Sequence, residues 1–119
     1  MTRIAIKRVY RPAAASDGLR VLIDRLWPRG MRKEALPYDL WAKDLAPSPP
    51  LRSWFHAAPN ERWEEFRKRY LAELESSPAA EEFRARIARE PRVTLLYASK
   101  NAVENHALIL KEFLERTTE

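Results

Sequence analysis

The chain has 119 residues, and its 22 lysines and arginines outnumber its 17 acidic residues, which gives a net charge of +5. This length allows one domain over residues 1–119 to bury a hydrophobic core without metals or disulfides. The absence of cysteine excludes disulfides, thiolate metal sites and cysteine nucleophiles. No apolar stretch approaches the roughly 18 residues of a membrane span, and the N-terminus lacks the apolar run of a signal peptide. We therefore expect a soluble, cytoplasmic protein without membrane partners.

Four short apolar segments have the character of β-strands. Residues 4–6 lie in a segment in which apolar and polar side chains alternate. Residues 19–23 and 93–98 are nearly continuous apolar runs, which is typical of strands that are covered on both faces. Residues 40–42, which precede a proline-rich connection, are a weaker candidate.

Three helices are predicted in the remainder of the chain. Asn60 is suited to cap the first helix, and the Ser77-Pro78 pair is a start signal for the second. The third is predicted to begin near Asn101, with Glu104 completing a pattern similar to a capping box. The apolar stripe of the first helix consists of Trp63, Phe66, Tyr70, Leu71 and Leu74. That of the third consists of Ile109, Leu110, Phe113 and Leu114.

A strand, a short turn and a helix follow one another between residues 92 and 116, which favours parallel strands joined by helical crossovers. We predict an α/β fold, a small three-layer sandwich with a mostly parallel sheet of three or four strands and helices on both faces. Ligands of such folds bind beyond the carboxyl ends of the strands. Here the two strand ends of interest are residues 24–30 and 97–106.

The first strand end carries a turn rich in arginine, with the sequence DRLWPRG over residues 24–30. Arg25 and Arg29 are suited to hold a phosphate group, and Trp27 offers a flat face for a base or a sugar. The structural alternative is that Asp24 pairs with an arginine to finish the strand while Trp27 fills the core. The residues alone leave both interpretations open.

The second strand end leads into a predicted helix start. Backbone N–H groups at such a start, with Ser99, Lys100 and Asn105 nearby, form a potential anion site. His106 lies toward the packed face of the helix, so it is either a hydrogen-bonded core residue or a base or donor with a neutral imidazole. His56 is expected to be exposed, and it reaches the same cleft only if its segment folds over the strand ends.

Several familiar motifs are missing from the sequence. With two glycines in the whole chain, neither a Walker loop nor a dinucleotide fingerprint is possible. Two histidines that are 50 residues apart, without a paired acidic motif, do not indicate a zinc site. No serine lies in a nucleophile elbow. The sequence therefore predicts neither a cofactor nor a metal.

Segments along nearly the whole chain resemble the YeaO-like branch of the domain-of-unknown-function family number 488. They are residues 22–30, 51–55, 62–66, 94–98 and 105–107. The resemblance implies a small bacterial α/β protein. It also implies that Asp24, Pro28 and Arg29 match an aspartate, proline and arginine arrangement found in the broader family.

Members of the broader family tend to carry a Cys-His-Arg trio at the start of the last helix, after a strand that ends in Cys-x-Glu. The corresponding residues here are Asn-His-Ala at 105–107 and Tyr-Ala-Ser at 97–99. Only the histidine is retained. The resemblance therefore implies that thiol chemistry is absent and that the catalytic pocket is inactive or repurposed.

The leading interpretation is a protein that binds a small anionic ligand, phosphate-bearing or nucleotide-like, at the carboxyl ends of its strands. The side chains assigned to ligand binding are Arg25, Trp27, Arg29, Ser99, Asn105 and His106. If a reaction follows, Asp24 and His106 are the candidate acid–base pair for a hydrolysis or a group transfer.

The alternative is a nucleic-acid-associated or protein-interaction module without chemistry. It would use an exposed basic patch of Arg8, Arg11, Arg29, Arg32 and Lys33. The sequence indicates neither the oligomeric state nor the ligand.

Overall fold

The structure, a computed structural model, describes residues 2–100 and 105–116. The strands in this part of the chain are β1 (Arg3–Arg8), β2 (Leu19–Leu22), β3 (Leu40–Trp41) and β4 (Arg92–Tyr97). The α-helices are α1 (Pro49–Ala57), α2 (Pro59–Glu75), α3 (Pro78–Ile87) and α4 (His106–Arg116). Short 3-10 helices cover Ala15–Asp17, Lys33–Ala35 and Lys43–Leu45.

The four strands form one sheet with the order β1-β4-β2-β3, and every neighbouring pair is parallel. β4 therefore lies between β1 and β2, where it pairs along six residues with β1 and along four with β2. The predicted α/β fold with a parallel sheet is confirmed. All four predicted strands are present as well, including the weaker candidate, which forms the two residues of β3.

One face of the sheet packs against all four α-helices. Side chains alternate between the two faces of a strand, and Val21, Ile23, Val93, Leu95 and Tyr97 point toward the helices. The helices contribute buried side chains to the same cluster, among them Phe55, Phe66, Tyr70, Ile87, Leu110 and Leu114. This face holds the main hydrophobic core.

The other face is covered by the connection between β2 and β3, which contains the short 3-10 helix Lys33–Ala35. A second apolar cluster lies there, with Val9, Leu22, Leu36 and Leu96 buried and Trp27, Met31 and Trp41 packed against them. The sandwich therefore has three layers, but whereas the sequence predicts helices on both faces, this layer consists of a short 3-10 helix and irregular chain. Many of its residues are exposed, as is usual for a connecting segment.

A buried ion pair lies under the same face. Asp17 forms an ion pair with Arg20, and its Oδ1 atom is 2.6 Å from the Lys7 Nζ atom. The Asp17 backbone carbonyl accepts a hydrogen bond of 2.7 Å from the Thr94 hydroxyl. Arg20 is charged but only 7% exposed, because it lies in a central strand. The pairing satisfies a charge that the sheet would otherwise leave without a partner.

The helix starts agree with the sequence in part. Ser77 caps α3, and its hydroxyl accepts a hydrogen bond of 3.2 Å from the Ala80 N–H, as predicted. The prediction that Asn60 caps α2 is wrong, because the helix already begins at Pro59 and Asn60 lies inside its first turn. Proline is well suited to the first helical position, since its missing N–H would have no partner there. The predicted start near Asn101 and Glu104 lies outside the described residues.

Helix α1 is not predicted from the sequence. It begins at Pro49 directly after the proline-rich connection. Phe55 is buried in it and stacks on Phe66 of α2, with ring centroids 4.2 Å apart. Trp54 is half-buried and is flanked by the guanidinium groups of two α2 residues, Arg62 and Arg69. The two aromatic residues therefore anchor the segment on α2.

Candidate functional site

Asp24 and His106 meet at the carboxyl ends of β2 and β4. Asp24 follows β2, and its Oδ2 atom accepts a hydrogen bond of 3.0 Å from the backbone N–H of Ala98, which follows β4. His106 begins α4, and its Nε2 atom lies 3.4 Å from the Asp24 Oδ1 atom. The exposed fractions of the two side chains are 18% for Asp24 and 17% for His106. The residues proposed from the sequence as an acid–base pair are therefore neighbours in a largely buried position.

The surroundings of His106 define where its proton lies. Its Nε2 atom is 3.2 Å from the backbone carbonyl oxygen of Ile23. Because a carbonyl only accepts, this contact requires a proton on Nε2. Burial lowers the pKa of His106, and the Asp24 carboxylate opposes this lowering without cancelling it. The imidazole is therefore neutral near pH 7, and Nδ1 is the nitrogen that can accept a proton.

Burial shifts the pKa of Asp24 in the opposite direction. It raises this pKa above the ordinary value of 3.8, although the protonated form of His106, the hydrogen bond from Ala98 and the charge of Arg52 favour the carboxylate. The buried Oδ1 atom has no hydrogen-bond donor among the described residues. It is therefore an acceptor that a water or a ligand can satisfy.

Three further side chains surround the pair. The ring of Tyr70 lies 6.2 Å from that of His106, edge to face, and its hydroxyl donates a 2.7 Å hydrogen bond to the Leu45 carbonyl. Arg52 and His56, one turn apart on α1, are close enough for their positive charges to lower the pKa of His106. His56 is exposed, as the sequence predicts. Helix α1 thus brings two basic side chains to the strand ends.

Arg25 points from the end of β2 into a small cleft of about 170 Å³ on the helix side. One of its terminal nitrogens donates to the carbonyl oxygens of Ala46 and Pro47, at 3.4 and 3.3 Å. Its Nε atom is buried and has no acceptor among the described residues. The cleft is lined by Arg25, Asp44, Leu45, Ala46, Ser48, Tyr70, Glu73, Leu74 and Ser77.

Trp27 and Arg29, the other two residues of the arginine-rich turn that were assigned to ligand binding, lie away from this cleft. Trp27 packs into the second apolar cluster, and its indole N–H donates a 2.6 Å hydrogen bond to the Met31 carbonyl. Arg29 is exposed, and its backbone carbonyl accepts a hydrogen bond of 3.1 Å from the Tyr10 hydroxyl. The turn therefore divides, with Arg25 on the helix side of the sheet and Trp27 on the other side.

The residues before α4 have different roles from one another. Asn105 is 3% exposed, and its side-chain oxygen accepts a hydrogen bond of 3.1 Å from the Leu108 N–H, so it caps the helix. Ser99 is exposed, and its carbonyl accepts a hydrogen bond of 3.0 Å from Arg8. The anion site predicted at this helix start also includes residues 101–104, which lie outside the described part of the chain.

Two other kinds of feature bear on the classes of function. Within the described ranges, no helix is both long enough and apolar enough to cross a membrane. In the same residues, no three histidine, aspartate or glutamate side chains are grouped so that they could hold a metal ion.

A family model described as the inactive DUF488-N3 subclade matches residues 3–119. The chain belongs to this family. It is 47% identical over 111 residues to the uncharacterised protein YeaO of Escherichia coli, and the match covers 93% of this chain and 96% of YeaO. It is 42% identical over 113 residues to the uncharacterised protein Rv3073c of Mycobacterium tuberculosis, with coverage of 95% and 94%. No solved structure gives a significant match.

The family resemblance found in the sequence is therefore confirmed, but several parts of the site do not follow from the sequence. Arg52, for example, is not predicted to lie near the strand ends, because the segment after the prolines is not predicted as a helix. A helix over this segment places Arg52 and His56 four residues apart on one face. The feature of the sequence that could have indicated helix α1 is the pair of prolines at its start, because proline is suited to the first helical position.

Proposed function

We propose that the chain is a non-catalytic binding protein that holds a small anion, about the size of a phosphate group, in the cleft lined by Arg25. The observation that carries this proposal is the buried Nε atom of Arg25, which has no acceptor among the described residues. A buried donor without a partner costs about 1–3 kcal/mol, more when it is charged. An anionic oxygen in the cleft would provide the missing acceptor.

The size of the cleft supports a small ligand. Pockets for drug-sized molecules enclose roughly 300–1,000 Å³, whereas this cleft encloses about 170 Å³. A phosphate group fits the smaller volume better than a whole nucleotide does. The ligand therefore enters through its phosphate or carboxylate group, and any remaining part of it lies outside.

Two acids also line the cleft, and their positions are compatible with an anion. Both carboxylate oxygens of Glu73 accept hydrogen bonds from Ser48, one from the backbone N–H at 2.9 Å and one from the hydroxyl at 2.6 Å. Asp44 is exposed, so water screens its charge. Arg25 remains the charged group with unused hydrogen-bonding capacity.

The absence of catalysis in the proposal rests on two observations. The family model that matches the chain is described as inactive. The chain contains no cysteine, so the thiol groups that the resemblance associates with the wider family are missing. The Asp24–His106 pair then has a positioning role, because Asp24 connects the end of β2 to Ala98.

A thermal-shift titration tests the proposal. The wild-type chain is heated with inorganic phosphate, sulfate, sugar phosphates, nucleotides and small carboxylates. We expect phosphate-bearing compounds to raise the melting temperature in proportion to the logarithm of their concentration above Kd, since a ligand at 100 times its Kd adds about 2.7 kcal/mol. If no compound of the panel raises the melting temperature in this way, the proposal is wrong.

Two arginines of the same turn give a matched pair of variants. Arg25→Met should abolish the increase caused by phosphate, while Arg29→Met should leave it intact because Arg29 is exposed outside the cleft. Arg25→Lys retains the charge but not Nε, so it should fold normally and bind more weakly. Equal effects of the substitutions at the two arginines would show that the anion binds elsewhere.

A further inference from the structure

The second face of the sheet exposes an apolar surface that the proposed anion site does not use. The described residues expose three large apolar side chains, Tyr10 at 47%, Leu26 at 66% and Tyr38 at 41%. Tyr10 belongs to the connection after β1, and Leu26 and Tyr38 belong to the connection between β2 and β3. Tyr10 and Tyr38 form, with the half-buried Trp27 and Trp41, a surface that we call the aromatic face.

Ring contacts and a hydrogen bond connect the members of the aromatic face. The Trp27 ring meets Tyr38 and Trp41 edge to face, with centroid distances of 5.8 and 5.6 Å. The Tyr10 hydroxyl donates to the Arg29 carbonyl at 3.1 Å, which ties the connection after β1 to the arginine-rich turn. The rings are thus held in place by one another and by the backbone, and their exposed parts are preorganised.

The exposed cations of the aromatic face outnumber its acids. Residues 26–39, which connect β2 and β3 on this face, contain three arginines and lysines, Arg29, Arg32 and Lys33, against two acids, Glu34 and Asp39. All three cations are exposed. Cations also lie over the rings themselves, with the Arg8 guanidinium 4.8 Å from the Tyr10 centroid and the Lys43 ammonium 5.1 Å from that of Trp41. This pattern of exposed rings among cations is complementary to a polyanion that carries flat groups.

We propose that the aromatic face binds single-stranded nucleic acid, with bases stacked on Tyr38 and Tyr10 and phosphates held by Arg29, Arg32 and Lys33. Stacking on exposed aromatic rings beside a positive groove is the usual mode of sequence-tolerant single-strand binding. A duplex is less suitable, because major-groove binding requires an α-helix or a β-ribbon on the surface, and the described part of this face has neither. An acidic peptide satisfies the cations but leaves the rings exposed.

Fluorescence anisotropy of labelled oligothymidylate and oligouridylate, each of about 12 nucleotides, tests the proposal. The wild-type chain should bind both at low salt, and the affinity should fall steeply as salt rises. The double variant Arg32→Glu/Lys33→Glu should bind at least about tenfold more weakly, and its salt slope should decrease by about 0.7 for each phosphate that is no longer neutralised. Lys68→Glu/Arg89→Glu makes the same change in charge elsewhere on the molecule and should leave the affinity nearly unchanged.

Stacking is tested separately from charge. Tyr38→Ala should weaken binding about fivefold or more, while Tyr38→Phe, which keeps the ring, should bind as the wild type does. Circular dichroism and the melting temperature verify that each variant is folded. The proposal is overturned by any of three results: no oligonucleotide binding at low salt, equally weakened binding in the two charge variants, or complete competition by polyglutamate at an equal concentration of charge. The last result would identify an acidic polypeptide as the partner.

Discussion

At the scale of single residues, one pair of neighbours in the sequence illustrates how differently adjacent side chains are used. Asp24 is drawn into the sheet, where it accepts a hydrogen bond from Ala98 and lies beside His106. Arg25 is turned toward the proline-rich connection and donates to the carbonyls of Ala46 and Pro47. Of the structural alternative, the pairing of Asp24 with an arginine has no counterpart among these contacts, whereas Trp27 does pack against an apolar cluster. The carboxylate is paired with a histidine 82 positions further along the chain.

His106 makes the stability of the fold depend on pH. Burial keeps the pKa of His106 below 6.5 in the folded chain, so the unfolded chain binds the proton more readily as the pH falls. The free energy of unfolding therefore decreases below pH 6.5, by at most about 1.4 kcal/mol per pH unit from this residue. We expect His106→Gln to flatten this decrease, as measured by urea denaturation between about pH 6.5 and 5.5.

The effect of His106 on the pH dependence of stability can be compared with those of Asp24 and His56. The raised pKa of Asp24 acts in the opposite sense, because the folded chain takes up that proton first and is stabilised at lower pH. Partial burial and the charge of Arg52 lower the pKa of His56, but its ring is exposed, so His56→Gln should remove less of the decrease. If His106→Gln leaves the pH dependence unchanged, His106 does not have the buried, neutral state inferred for it.

At the scale of elements, apolar patterning predicts the strands well and the helix boundaries less well. Residues 19–23 and 93–98 consist largely of side chains that a two-sided strand can bury, so their pattern alone identifies β2 and β4. Helix α1 is different, because its first residues are Pro49 and Pro50, which are suited to a helix start but equally to an extended connection. Whether such prolines begin a helix depends on what the following turn can pack against. For α1 this partner is α2, and only the tertiary structure supplies it.

Substitutions at the two glycines test how closely the connections pack against the strands. Both have positive φ, +65° at Gly18 and +77° at Gly30. A Cβ atom at Gly18 would lie 2.3 Å from the Arg92 carbonyl oxygen, whereas at Gly30 it would meet nothing within 4 Å. Gly30→Ala should therefore cost only the strain of the backbone, about 1–2 kcal/mol. Gly18→Ala should cost clearly more, because the backbone of β4 must move as well.

Equilibrium urea denaturation of the two variants gives the comparison directly. Similar losses of stability in both variants would mean that the connection before β2 can shift away from β4 without penalty. A larger loss at Gly30 would contradict the placement of both turns.

At the scale of the whole molecule, the two faces of the sheet differ in what covers them, and this determines how much of the site is predictable. The strand-end position of Asp24 and His106 follows from the parallel order of the elements. The separation of Arg25 from Trp27 does not, because it depends on which face each side chain reaches after the last residue of β2. Local patterning carries no information on that choice, since both residues follow the strand in an irregular turn.

We expect the buried ion pair of Asp17 and Arg20 to stabilise the whole domain. Asp17→Asn leaves Arg20 buried without its partner, which we expect to cost about 3 kcal/mol in the free energy of unfolding. The exposed pair of Glu65 and Arg69 on α2 is the control, and Glu65→Gln should cost no more than about 1 kcal/mol. Adding Arg20→Met to Asp17→Asn should recover part of the loss, as measured by urea denaturation. A double variant less stable than Asp17→Asn would contradict this role of the ion pair.

The strand order also has a consequence for how the chain acquires its structure during synthesis. β1 and β2 do not pair with each other, since both pair with β4, which ends at Tyr97. Before β4 leaves the ribosome, the only ladder available among the described strands is the two-residue pairing of β2 with β3, and so small a ladder is not stable alone. The nascent helices, although all but α4 are already translated, have no sheet to cover. We therefore expect folding to be a late event, in which β4 enters between β1 and β2 and completes the sheet, and the earlier part of the chain lacks a stable sheet until then.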